Sequence, residues 1–242
     1  MIRAGFLYPG YAAEDDYPRL AAMVDPPVEA VVVHTSVGVD AHRVDDLLDL
    51  GGPERLAAGA AQLRDAGVAV AVWACTSGSF VFGAEGARRQ VRGVETAAGV
   101  PASSTSFAFV HALAHLGIDR VAIAATYPKD VALAFEAFLA EHGVTVTSVG
   151  AEDVLTAAEV GTFGRDRVLQ FVAAGDHPEA AAVLVPDTAL HTAAWVDDLE
   201  AALGKTVLTA NQVTMWEALR LAGRRPRAAA LGRLFGPQVS DG

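Results

Sequence analysis

The sequence predicts an α/β protein made of two similar doubly wound parallel-sheet halves of the Rossmann-like kind, related by a pseudo-twofold axis, with the active site in the cleft between them. Three observations predict it. Short β-branched runs alternate with Ala-, Leu-, Glu- and Arg-rich stretches of helical spacing, the pattern of parallel strands covered on both faces. Segments of the first half recur in the second at similar offsets. Two apolar strands stop abruptly in polar turns, one at Cys75 and one at Asp187.

Taken in order, residues 2–8, 28–34, 68–73 and 101–103 read as the strands of the first half. The first three are short apolar or β-branched runs bounded by turn residues. Pro53 followed by Glu54 suits the first turn of a helix between the second and third strands. Residues 120–125, 144–149, 181–185 and 206–209 repeat the series. Gly5-Phe6-Leu7-Tyr8-Pro9 and Ala124-Ala125-Thr126-Tyr127-Pro128 both end a strand in Tyr-Pro. Ala112-Leu113-Ala114-His115-Leu116-Gly117 resembles Ala218-Leu219-Arg220-Leu221-Ala222-Gly223, and the strand ending at Cys75 resembles the one ending at Asp187. The expected division is a first half at 1–107, completed by 212–242, and a second at 108–211. Ligands of open α/β sheets bind beyond the carboxyl ends of the strands, so duplication would bring Cys75 and Asp187 to opposite walls of one pocket.

The chain has 242 residues, 52% hydrophobic and 19% charged, enough to bury a sizeable core. Its formal net charge of -11 opposes nucleic acid and anionic membranes as partners, yet does not forbid a small anionic substrate in a local pocket. A single cysteine excludes an internal disulfide and clusters of cysteine ligands, and it fits a cytoplasmic location. The first residues are too briefly apolar for a signal peptide. The uncharged stretches 66–84 and 96–118 are interrupted by Gly and Ser/Thr and read as core, not as membrane spans. A homo-oligomer is left open.

In Trp73-Ala74-Cys75-Thr76-Ser77-Gly78-Ser79 a buried strand gives way to small hydroxyl-bearing residues before a helix. Such a turn can offer N–H groups and hydroxyls to an anion and would lower the thiol pKa of Cys75. The bland reading is an inert core cysteine. Val185-Pro186-Asp187-Thr188 is the matching segment, for which the bland reading is an N-cap aspartate. His34 and His191 follow strand ends and are candidates for the cleft lining, with Pro9 and Gly10. His111 and His115 share a helix face, but Ala112 stands where a zinc protease needs Glu, so no metal site is expected. Gly204-Lys205-Thr206 ends like a phosphate loop but precedes a strand, and no G-x-G-x-x-G follows the first strand, so no nucleotide cofactor is expected. Ser77 and Ser79 lack the glycine flanks of a hydrolase elbow. Arg224-Arg225-Pro226-Arg227 reads as a solvated basic turn.

Three segments carry a family resemblance: Ala74-Cys75-Thr76-Ser77-Gly78-Ser79, Val121-Ala122-Ile123-Ala124-Ala125-Thr126-Tyr127, and Gly204-Lys205-Thr206-Val207-Leu208-Thr209-Ala210-Asn211-Gln212. With Gly232-Arg233-Leu234-Phe235 near the end, they resemble the aspartate/glutamate racemase superfamily, in particular its maleate cis–trans isomerase and arylmalonate decarboxylase branch. The resemblance implies a cofactor-independent enzyme acting on a small carboxylate or dicarboxylate. Many members use two cysteines on opposite faces of the substrate. Cys75 matches the first, and Asp187 stands where the second would be. The decarboxylases keep the second cysteine and have glycine at the first. By resemblance Thr76, Ser77, Tyr127 and Thr188 would bind a substrate carboxylate. The loop Pro9-Gly10-Tyr11-Ala12 lacks the asparagine common there in maleate isomerases and amino-acid racemases. The expected reaction is maleate-type isomerisation through a Cys75 thiolate, with Asp187 as the opposite-face acid or base. The alternatives are arylmalonate-type decarboxylation with Cys75 as proton donor, and a non-catalytic small-molecule binding module on the same fold.

Overall fold

In the computed structural model, which describes residues 1–225 and 227–236, two parallel sheets repeat one topology. The first half runs β1 (Arg3–Pro9), α1 (Asp16–Met23), β2 (Glu29–Thr35), α2 (Val44–Leu50), α3 (Pro53–Asp65), β3 (Val70–Trp73), α4 (Ser77–Phe80), α5 (Gly83–Ala98), β4 (Ala102–Ser104) and α6 (Thr105–Leu116). The second runs β5 (Arg120–Ala125), α7 (Lys129–Ala140), β6 (Thr145–Ala151), α8 (Ala157–Val160), α9 (Arg165–Ala174), β7 (Ala182–Val185), α10 (Val196–Leu203), β8 (Thr206–Thr209) and α11 (Ala210–Leu221). Strand order is β2-β1-β3-β4 in one sheet and β6-β5-β7-β8 in the other. The two orders superimpose, β1 on β5 through β4 on β8, so the three recurring sequence segments fall on equivalent elements. β5 and β8 occupy the predicted 120–125 and 206–209, and the other strands shift only at their ends.

Alternation along each strand divides the core into layers. Phe6 and Tyr8 of β1, Val72 of β3, Ile123 of β5 and Leu184 of β7 face one central cluster shared by both sheets. Leu7, Ala71 and Trp73 face an outer layer under α3 and α5, and Cys75 continues that alternation one step past β3. Val183 and Val185 face the outer layer under α9 and α10. The central layer is closed by α6 and α11, which begin directly at the ends of the fourth strands. Ser104 caps α6 by accepting from the Phe107 N–H at 3.4 Å, and Thr209 with Gln212 forms a capping box on α11. Helix α11 lies along α6 and against β1, β3 and β4 as well as β8. Pro226 and residues 237–242, part of the segment expected to complete the first half, lie outside the described residues. No helix among the described residues is long and apolar enough to cross a membrane.

Candidate active site

β3 and β7 are equivalent central strands, and each ends against the cleft. Cys75 follows β3 and is buried, its Sγ accepting from the Gly78 N–H at 3.3 Å and lying 3.9 Å from Ser77 Oγ. A Cβ at position 78 would come within 3.1 Å of that sulfur, so glycine is what lets the backbone approach it. Burial pushes the thiol up to about 12; the Gly78 N–H and Ser77 oppose this and Asp187 adds to it. This corrects the expected lowering. Helix α4 is a single turn, too short for its N-terminus to outweigh desolvation.

Asp187 occupies the corresponding place after β7. One carboxylate oxygen accepts from the Ala189 N–H at 2.9 Å, and the other accepts from the Thr126 hydroxyl. No helix starts here, since α10 begins only at Val196. Asp187 therefore closes a two-residue turn and is not the helix N-cap of the bland reading.

Each half also sends a tyrosine into the other. Tyr127 is buried, donates to the Pro186 carbonyl at 2.8 Å, and has the Ser77 and Thr76 hydroxyls beside its phenol. Its counterpart Tyr8 donates to the Thr188 carbonyl at 3.1 Å and accepts from the Ala13 N–H at 2.9 Å. Burial raises both phenols well above their ordinary value, so both remain hydrogen-bond donors. Thr76 Oγ1 is buried beside the Tyr127 phenol and makes no other hydrogen bond among the described residues.

Between these turns is a cavity of about 240 Å³. Of the residues predicted from sequence, Cys75, Ser77, Pro9, Gly10, Asp187 and Thr188 line it. Thr76 and Tyr127 stand behind the Ser77 wall. His34 does not reach it: its Nδ1 pairs with the Gly10 carbonyl at 2.6 Å, its ring stacks on Tyr11 at 4.1 Å, and it faces a neighbouring groove. His191 is also outside, paired with Asp15 at 2.8 Å. Local polar partners hold both histidines away from the cavity. Val37, Val39, Leu47 and Leu50 are apolar lining residues of the cavity, and among the described residues no Lys or Arg lines it.

His42 was missed. It sits in the segment between β2 and α2, buried, with Nδ1 3.0 Å from the Val154 carbonyl and Nε2 3.9 Å from Asp187 Oδ2. Because a carbonyl only accepts, Nδ1 carries a hydrogen and Nε2 is the atom free to exchange a proton. Its ring meets Tyr127 edge-on at 4.9 Å. Tyr8 was missed as a site residue too, although its pairing with Tyr127 in the repeat was the available signal.

The remaining motifs are structural. His111 pairs with Glu217 at 2.9 Å, His115 packs beside Trp216, and Lys205 bonds Asp176 at 2.7 Å. No group of three His, Cys, Asp or Glu among the described residues is placed to hold a metal ion.

A thiol and a carboxylate at equivalent strand ends of two facing lobes, with hydroxyl donors between them, define an enzyme of the aspartate/glutamate racemase superfamily. The arylmalonate decarboxylase family profile matches residues 50–235. The arylmalonate decarboxylase of Bordetella bronchiseptica is 34% identical over 182 residues, 73% of this chain and 75% of that protein. The chain belongs to the arylmalonate decarboxylase family. A liganded double mutant of arylmalonate decarboxylase superimposes with a TM-score of 0.87 at 25% identity, covering 97% of this chain and 99% of that one. The maleate isomerase of Pseudomonas putida S16 shares the fold at 19% identity, with a TM-score of 0.88 over 97% and 98% of the two chains. The maleate cis–trans isomerase of Nocardia farcinica does so at 22% identity, with a TM-score of 0.87 over the same shares. With enzymes as its relatives, the chain is an enzyme of this superfamily, and the binding-module alternative falls away.

Proposed function

We propose that the protein decarboxylates a 2-substituted malonate without a cofactor, with Cys75 as the proton donor. The observation that carries this reading is a buried thiol, pushed up to about 12, at the edge of a cavity lined both by the Ser77 and Thr188 hydroxyls and by the apolar side chains of Val37, Val39, Leu47 and Leu50. One carboxylate would be held by the Ser77 hydroxyl, which Thr76 and Tyr127 back from behind. The second would lie against Val37, Val39, Leu47 and Leu50. A carboxylate on an apolar wall loses hydration that neutral carbon dioxide does not need, so the site disfavours the charged reactant group over the product. The bond from the α-carbon to that carboxylate breaks and carbon dioxide leaves. The electron pair moves into the remaining carboxylate as an enediolate, where preformed donors meet the added charge. The Cys75 S–H then protonates the α-carbon, and the thiolate regains a proton from solvent water.

Maleate-type isomerisation, the reaction expected from sequence, fits this cavity less well. It needs a thiolate to add to the double bond and donors for two retained carboxylates. The thiol is shifted toward its neutral form, and the carboxylates of Asp40 and Asp187 face the cavity in place of cations. Offering the enzyme 2-aryl-2-methylmalonates and maleate in parallel separates the readings. Carbon dioxide release from the malonates, with Cys75→Ser slower by about two to four orders of magnitude, is the expected result. Conversion of maleate to fumarate without carbon dioxide release from any malonate would replace it with isomerisation.

A further inference from the structure

We infer that His42 is a second acid–base group of the site, exchanging a proton with the substrate α-carbon from the Asp187 side, and that Asp187 serves to position it. The inference rests on the enediolate chemistry proposed above. Three observations carry it. His42 lines the cavity and is held rigidly: its backbone N–H donates to the Leu155 carbonyl at 2.7 Å and its Nδ1 to the Val154 carbonyl at 3.0 Å. Those bonds fix the tautomer and turn Nε2 toward Asp187 Oδ2, 3.9 Å away. Asp187 itself is held in place by the Thr126 hydroxyl and the Ala189 N–H, so its Oδ2 is a fixed acceptor facing the His42 ring.

The step balances without a further reagent. In the forward direction neutral His42 takes the α-proton of a 2-substituted carboxylic acid onto Nε2. The C–H electron pair enters the carboxylate as an enediolate. The imidazolium exchanges its proton with solvent and returns one to the same carbon, or the Cys75 S–H delivers one to the other face, after which the imidazolium gives its proton to solvent and the thiolate takes one from it. His42 and Cys75 are thus two independent proton routes to one carbon, which gives the enzyme an activity besides carbon dioxide release: exchange of the α-hydrogen of the monoacid with solvent.

The test uses the purified enzyme, a 2-arylpropionate and heavy water, with deuterium at the α-carbon read by mass spectrometry. Wild type should exchange. His42→Ala should lose exchange by about a hundredfold or more, and added imidazole should restore part of it in proportion to its concentration. Restoration is the readout a merely structural histidine would not give. His42→Gln keeps a donor for the Val154 carbonyl and is the second variant should the alanine protein fail to fold; it should lose exchange with its melting temperature kept. Exchange within about threefold of wild type in either folded variant would overturn the assignment, as would a loss in His42→Ala that imidazole leaves untouched. Carbon dioxide release from malonates without any α-exchange by wild type sinks this inference and leaves the decarboxylase reading standing. Exchange without carbon dioxide release does the reverse.

Discussion

Cys75 shows how burial and local donors compete at a single atom. The Gly78 N–H and the Ser77 hydroxyl favour thiolate, yet the desolvation of a fully enclosed sulfur is larger, and the thiol is pushed up to about 12. At pH 8 its thiolate fraction is then smaller than that of a free cysteine by about three orders of magnitude. Alkylation of the free enzyme by iodoacetamide, followed as a mass shift on the Cys75 peptide, should be slower by at least that factor. Labelling at the rate of a free thiol would remove the proton-donor role. Tyr127→Phe removes the hydroxyl that anchors the Pro186 carbonyl and stands behind Ser77, and should lower turnover by up to about a hundredfold through misplacement of the groups it supports. A rate within twofold of wild type would place Tyr127 outside the machinery. The residues legible in sequence were those whose role follows from sitting at a strand end: Cys75, Ser77, Asp187, Thr188, Pro9 and Gly10 all line the cavity. His42 was not legible. It stands in a segment without periodicity, and its partner Val154 is 112 positions away.

At the level of elements, all eight expected strands are present; each except β4, which is only Ala102–Ser104, carries its own apolar or β-branched run, and covered parallel strands need little more than that to be read. The stretch after β7 was less legible. The bland reading of Asp187 was a helix N-cap, whereas turns and Asp16 contacts hold residues 187–195 and delay α10 to Val196. The packing of α6 on α11 was also invisible, since it depends on a buried carboxylate. Glu217 of α11 is fully enclosed, bonded to His111 of α6 at 2.9 Å and to Arg220 at 2.7 and 2.8 Å. Burial alone would raise its pKa, but Arg220 and His111 reverse this and hold it at about 2, below the ordinary 4.5. A depressed folded value means that this stability is present above about pH 4.5 and is lost as pH falls toward 2; the shift corresponds to on the order of 3 kcal/mol. Wild type should therefore lose stability across that window in acid titrations followed by circular dichroism. Glu217→Gln should start less stable at pH 7 and show a flatter acid limb. An unchanged acid limb would mean that this carboxylate does not couple the helices to pH.

For the whole molecule, what matters is how two lobes, each with its own sheet, hold one cavity. The central hydrophobic cluster is common to both sheets, and polar straps cross it at two places. On one side, the segment carrying Val37, Val39 and His42 reaches to the second lobe, where Asp40 accepts from the N–H groups of Ala157 at 3.0 Å and Ala158 at 3.2 Å at the start of α8. On the other, Asp16 at the start of α1 is buried, and its Oδ2 accepts from the N–H groups of Thr192 at 2.9 Å and Ala193 at 3.1 Å and from Asn211 Nδ2 at 3.1 Å. Asn211 in turn accepts from the Tyr17 hydroxyl at 3.1 Å, so one carboxylate ties α1, the turn after β7 and α11 together. Neither strap was legible from composition, because an aspartate near a helix start reads as solvated until its distant donors are seen. Asp16→Ala would leave those three donors buried without their acceptor. The expected cost is about 2–3 kcal/mol, which for a chain of this size lowers the melting temperature by roughly 5–10 °C. Because the central cluster belongs to both sheets, unfolding should remain a single transition, with far-ultraviolet circular dichroism and tryptophan fluorescence melting together. A melting temperature within about 1 °C of wild type would show that the lobes are joined by the apolar layer alone, and two separated transitions would show that Asp16 is what makes them unfold as one.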